Sequence, residues 1–206
     1  MNGSDLANAF DRVRHEFLFG APLKFSFDII FINWIKACIT EPWIALLVNA
    51  RAIDFLKVSR GLRKGCPLSP MFFVLQDSVP SFQLEKRRLE QELMGLQIAR
   101  GIRDINHAQF ADDTLLLRGA SALNAHLFKA DLDKYCEASG SRFNVEKSQI
   151  FGWNLSGLEL NSIIRIFGYK GSTHWATLKY IGLPIFQKSP RSRDWIPLLE
   201  KFSKKI

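Results

Sequence analysis

The chain has 206 residues, with 28 Lys and Arg against 20 Asp and Glu, a formal charge of +8 and a pI near 9.6. A hydrophobic fraction of 47% at this length excludes wholesale disorder and allows a core of ordinary size. Three widely spaced Cys without a CxxC exclude a disulfide scaffold, argue against a structural zinc site, and fit a reducing intracellular compartment, nucleus or cytoplasm.

The N-terminal Met1-Asn2-Gly3-Ser4 is polar, lacks the regions of a signal peptide, and reads as barely a strand. Residues 26–40 carry helical apolar spacing (Ile29, Ile32, Ile35, Ile39) that Glu41-Pro42 stops; the run is too short and too polar to span a bilayer. Residues 43–49 and 53–58 predict two strands joined by the turn Asn49-Ala50-Arg51-Ala52. A basic run (Lys57, Arg60, Arg63, Lys64) enters a Gly- and Pro-punctuated loop over 60–70, and a buried helix is expected over 70–79. Segment 85–92 mixes both signs and reads as an exposed helix face with ion pairs three and four apart. Residues 96–100 suggest a strand, and 107–110 with 114–117 suggest strand, tight turn, strand. Ser121 is expected to cap a helix that runs to about Ala138 and stops at Ser139-Gly140. Short strands over 142–145 and 148–153, a helix over 156–167, a strand over 178–184 and a basic helix finishing at 206 complete the pattern. Strands and helices mix without strict βαβ alternation, so the expected class is α+β with an antiparallel sheet and packed helices. The five Trp are expected in the core, with Trp175 or Trp195 alternatively free to stack on a base.

The positive charge suggests a polyanion, nucleic acid before acidic lipid. Three segments carry chemistry. Asp112 and Asp113 are adjacent carboxylates between apolar runs, read either as a solvated turn or as hard-cation ligands. Asp5 and Asp11 flank Ala9-Phe10, and as residues alone they could equally be a helix cap with first-turn acids. Arg60-Gly61-Leu62-Arg63-Lys64-Gly65-Cys66-Pro67-Leu68-Ser69-Pro70 sets cations and free backbone N–H groups before a helix, which suits an anionic ligand.

Taken in order, Asp5 to Val13, Arg60 to Pro70 and Phe110-Ala111-Asp112-Asp113 resemble three motifs of reverse transcriptases from non-LTR (LINE-type) retrotransposons, with plant-like features. Ala138-Ser139-Gly140 through Ser148 and Tyr180-Ile181-Gly182-Leu183-Pro184 resemble the next two. The resemblance implies a right-hand polymerase palm over 1–186 and the start of a thumb over 187–206, with fingers and thumb incomplete. It implies RNA-directed DNA polymerisation: nucleotidyl transfer to a primer 3′-hydroxyl with two Mg²⁺ ions, or Mn²⁺, held by Asp5, Asp112 and Asp113. Lys147 matches a lysine that could protonate the leaving pyrophosphate, and Phe10 matches the steric gate against a ribose 2′-hydroxyl. Arg63, Lys64 and Gly65 would hold the incoming dNTP. Lys57, Arg60, Tyr180 and Gly182 would contact the RNA template and DNA primer. Lys64 stands where the family often has Gln, and Cys66 reads as a small buried or half-buried side chain, not a nucleophile. Two functions stay open: a polymerase domain, or a non-catalytic remnant that at most binds nucleic acid. No membrane partner is expected.

Overall fold

The computed structural model describes residues 2–5, 9–40, 43–97, 99–111, 113–175 and 178–203, and for residues 2–5 and Ala9 the backbone alone. In chain order the elements are β1 (Asn2–Asp5), α1 (Ala9–Arg12), α2 (His15–Lys24), α3 (Ile29–Ile39), β2 (Trp43–Val48), β3 (Arg51–Lys57), α4 (Ser69–Leu89), β4 (His107–Phe110) and β5 (Asp113–Leu116). There follow α5 (Ala122–Ser139), β6 (Gln149–Phe151), α6 (Gly157–Phe167), β7 (Lys170–Ser172), β8 (Lys179–Tyr180), β9 (Leu183–Pro184), a 3-10 turn (Ser192–Trp195) and α7 (Ile196–Ser203). Two units divide them. A sheet unit holds Met1–Asp5, Met94–His126 and Val145–Ile206, and a helical unit holds Leu6–Leu93 and Leu127–Asn144.

The sheet unit is built on five strands in the order β4-β5-β1-β6-β7. All pairs are antiparallel except β6 with β7, so the expected antiparallel sheet is in fact mixed. β1 corrects the reading of the N-terminus as barely a strand: this polar tetrapeptide is the central strand, laddered to β5 on one side and β6 on the other. Backbone pairing on both edges, which no apolar alternation announces, makes it a strand. β5, flanked by strands on both sides, exposes Asp113 and buries Thr114, Leu115 and Leu116.

Elsewhere in this unit, Ser156 and Glu159 close a capping box that starts α6, and Gly168 ends the helix at φ +72°. A small cluster of Phe151, Trp175 and Leu178 fills the space beside β6, with the Trp175 indole N–H donating to Gly152 O at 3.1 Å. Three expectations change. Of residues 96–100, Leu96 bridges to Ile105, and the other described residues form no strand. Residues 142–145 form no strand; the chain turns at Val145–Lys147. The strand over 178–184 is broken by Ile181 and Gly182, both at positive φ (53° and 75°), into the two-residue pair β8 and β9.

In the helical unit, Val13, Leu18, Ile35, Ile39, Leu62, Phe72 and Phe73 form the core. The helix that the apolar spacing anticipates is α3, and Asp28 caps it by accepting from the Ile30 N–H at 2.7 Å. The stop at Glu41-Pro42 lies outside the described residues. α4 runs to Leu89, ten residues past the expected end, because Pro80 is tolerated inside it. The 85–92 segment is correspondingly only part solvated. Arg88–Glu85 and Lys86–Glu90 pair along the helix, but Arg87 turns inward onto buried Asp131, with Nη2 donating to Oδ1 at 2.9 Å. β2 and β3 form the expected hairpin, closed by Asn49 and Ala50 at φ 50° and 60°, the left-handed pair a two-residue hairpin turn demands. The Trp expectation also changes: Trp175 is buried, whereas Trp34, Trp43, Trp153 and Trp195 are exposed.

Candidate functional site

Phe110 and Asp113 are register partners, so a two-residue loop closes the β4–β5 hairpin, with Ala111 at φ 51°. Asp113 is in turn the register partner of Asp5, the last residue of β1. Directly opposed residues of an antiparallel pair stand about 4.5–5.5 Å apart at Cα. Two aspartates therefore stand at one end of the sheet beside the loop that carries a third in sequence. Asp112 itself, and the side chain of Asp5, lie outside the described residues. Among the described residues no group of three or more His, Cys, Asp or Glu side chains gathers.

Tyr180, at the end of β8, belongs to the same unit. Its phenol is pushed up from its ordinary value by burial and then by the charge of Asp113, so the two lie within electrostatic reach. Gly182 follows in the β8–β9 turn, where its positive φ suits glycine. Lys147 is exposed in the turn before β6, the strand that ladders onto β1.

The helical unit gathers the other set. The loop over 60–70 is stitched along residues 10–15: Leu62 N donates to Phe10 O and Gly61 N to Val13 O, both at 2.7 Å. Arg14 and Arg60 form an antiparallel bridge, and the His15 imidazole Nε2 lies 2.9 Å from Gly61 O. Gly61, at φ 85°, allows this closeness; a Cβ there would meet Asp11 O at 3.0 Å. Phe10 is half-buried and stacks on Phe73 with centroids 4.9 Å apart.

The exposed Arg63 guanidinium donates to Cys38 O at 3.0 Å, and Lys64 Nζ contacts Asp11 Oδ2 at 3.1 Å. Gly65 sits at φ 85° with open space where a side chain would project. Arg60 is exposed, and Lys57 closes β3 at the base of the hairpin. Cys66 is half-buried; hydrogen bonding from the Leu68 backbone and the Ser69 side chain pulls its thiol down. The sequence singles out neither Asp11 nor His15 as a partner of this loop. Their signal lies in tertiary pairing across some fifty residues, which spacing does not carry.

Residues 3–185 match the family described as reverse transcriptase (RNA-dependent DNA polymerase). An uncharacterized 149 kDa protein of transposon TX1 from Xenopus laevis is 27% identical over 199 residues, 95% of this chain and 14% of that protein. The retrovirus-related Pol polyprotein from type-1 retrotransposable element R2 of Popillia japonica is 31% identical over 145 residues, 69% of this chain and 22% of that protein. An uncharacterized mitochondrial protein of Arabidopsis thaliana is 35% identical over 72 residues, 35% of this chain and 59% of that protein. The chain thus spans a small part of the first two relatives and less than two thirds of the third.

Proposed function

The chain belongs to the reverse transcriptase family, of the kind carried by non-LTR retrotransposons, and from that premise we propose that it is an RNA-directed DNA polymerase domain that extends a primer 3′-hydroxyl. One observation carries the reading: the β1–β5 register that opposes Asp5 to Asp113 beside the loop holding Asp112. Carboxylates suit a hard divalent cation, and Asp5, Asp112 and Asp113 would hold two Mg²⁺, or Mn²⁺. Bound there, such ions supply the charge that acidifies the primer hydroxyl and neutralises the triphosphate. On this reading residues 1–186 are the palm and 187–206 begin the thumb.

The chain's own residues then divide the remaining work. Arg63, Lys64 and Gly65 hold the incoming dNTP, the cations on its phosphates and the glycine by leaving room. Phe10, wedged on Phe73, acts as the steric gate: a ring that cannot retreat excludes a 2′-hydroxyl by shape. Lys147 donates a proton to the departing pyrophosphate. Lys57, Arg60, Tyr180 and Gly182 contact the RNA template and DNA primer, the first two by charge, and binding through them weakens steeply with salt.

The test is primer extension on an RNA template with dNTPs and Mg²⁺ or Mn²⁺. Asp112→Asn is expected to abolish extension while leaving salt-sensitive nucleic-acid binding intact. Equal extension by wild type and variant overturns the catalytic assignment. Binding without extension in the wild type leaves the non-catalytic reading.

A further inference from the structure

We propose that Asp11 is a positioning residue that holds Lys64 and sets how strongly the 60–65 loop draws an anionic phosphate. The proposal rests on the loop being the nucleotide-binding loop and goes beyond that reading, because it assigns a regulator of the loop's charge. The Lys64 ammonium reaches the Asp11 carboxylate at 3.1 Å across 53 residues of sequence. The approach is fixed from behind by the backbone. Leu62 N donates to Phe10 O and Gly61 N to Val13 O, and Gly61 lacks the Cβ that would strike Asp11 O. These bonds hold residues 61–62 against 10–13 whatever the two side chains do, so the ion pair sits on a preformed seam.

The two loop cations differ in what holds them. Arg63 is tethered by a neutral carbonyl, Cys38 O, which leaves its charge uncancelled. Lys64 is tethered by a carboxylate, which cancels its charge locally. Both side chains of that pair are solvent-accessible (74% and 52%), so the pair opens without desolvation cost to either partner. Exposed pairs of this kind shift an equilibrium by less than about fivefold. That weakness suits a clasp a phosphate can displace. A di- or triphosphate carries more negative charge than one carboxylate, so Lys64 transfers from Asp11 to the ligand, and Asp11 subtracts from the affinity the bare loop would have.

The experiment titrates the full chain with inorganic tripolyphosphate by calorimetry, at low and at near-physiological salt. Asp11→Asn is expected to tighten binding about threefold at low salt, with the gain shrinking as salt screens the charges. Asp11→Glu, which keeps the charge, is expected to bind as wild type does. Lys64→Gln is expected to weaken binding and to make Asp11→Asn silent in the double variant. A merely structural Asp11 predicts that Asp11→Asn loosens binding or leaves it unchanged. Either result overturns the proposal, as does a wild type that binds no tripolyphosphate. Primer extension on the same preparations keeps the two readings apart: the expected order of affinities without extension sinks the polymerase reading and leaves the clasp standing.

Discussion

Two hairpins of this molecule share a design and differ in fate. β2–β3 and β4–β5 are both antiparallel, and both are closed by two-residue loops with an alanine in the left-handed region, Ala50 and Ala111. In β4–β5 the apolar residues Leu115 and Leu116, which point to opposite faces, are both buried, and β1 ladders onto the outer edge of β5. In β2–β3 neither outer edge is laddered among the described residues, and Trp43, Ile44, Leu47, Ile53 and Phe55 stay exposed on a ribbon apolar on both faces. The lesson is that an apolar, turn-punctuated run specifies a hairpin, whereas its place in a larger sheet and what packs on its faces decide whether its side chains enter a core. Of the candidate carboxylates, Asp113 stands on the β4–β5 hairpin and Asp5 on β1, the third strand itself.

The largest expected effect tests that contrast directly. Leu116→Ala, at a site 2% exposed, should cost about 2–5 kcal/mol through lost transfer energy and a residual cavity. Leu47→Ala, at a site 69% exposed, should stay within about 0.5 kcal/mol. Urea denaturation of both variants measures the difference as a shift in midpoint at constant slope. Comparable losses would mean that the β2–β3 ribbon is covered in solution, and the comparison would break.

Much of this was legible from sequence wherever periodicity and capping agree. α3 announces itself by isoleucines on one face, α6 by its amphipathic spacing, and both hairpins by turn residues between apolar runs. The failures have physical causes. β1 is Asn-Gly-Ser-Asp, a strand by virtue of two neighbours, so no local preference reveals it. In α2, Gly20-Ala21-Pro22 mimics a turn, yet Pro22 lies in the last turn of the helix, and its carbonyl accepts from Phe25. Arg87 looks like one more surface charge, and its inward turn depends on Asp131, 44 residues away. At the candidate site the motifs identify Asp5, Asp112 and Asp113 as a set. The β1–β5 register, which opposes two of them, is a tertiary fact, as is the seam between residues 10–15 and the 60–65 loop.

A smaller effect sharpens the comparison at the turns. Ala50 and Ala111 each occupy a conformation that disfavours any Cβ. Glycine there removes the strain but adds freedom to the unfolded chain. The net expectation for Ala50→Gly and for Ala111→Gly is a gain of about 0.5–1 kcal/mol in thermal or urea unfolding. The two should part company in function. Ala111 precedes Asp112, so loosening it should slow primer extension, whereas Ala50→Gly should leave extension unchanged. Equal rates in the two variants would show that the strain at Ala111 has no part in presenting the carboxylate.

The smallest expected effect is a pH dependence confined to the buried hairpin. His107 opens β4 as the register partner of Leu116, and burial holds its pKa below the ordinary 6.5. The unfolded chain therefore binds this proton more readily than the folded one, so stability rises with pH across the interval between the two values. The contribution is complete above 6.5 and is lost as the pH falls through the lowered folded value. His107→Gln removes the titration, so its stability should change less than wild type from about pH 7 to about pH 5. The wild-type slope, followed in parallel, is the reference. If His107→Gln keeps that slope, the acid sensitivity belongs to other groups, and the burial of His107 does not carry it.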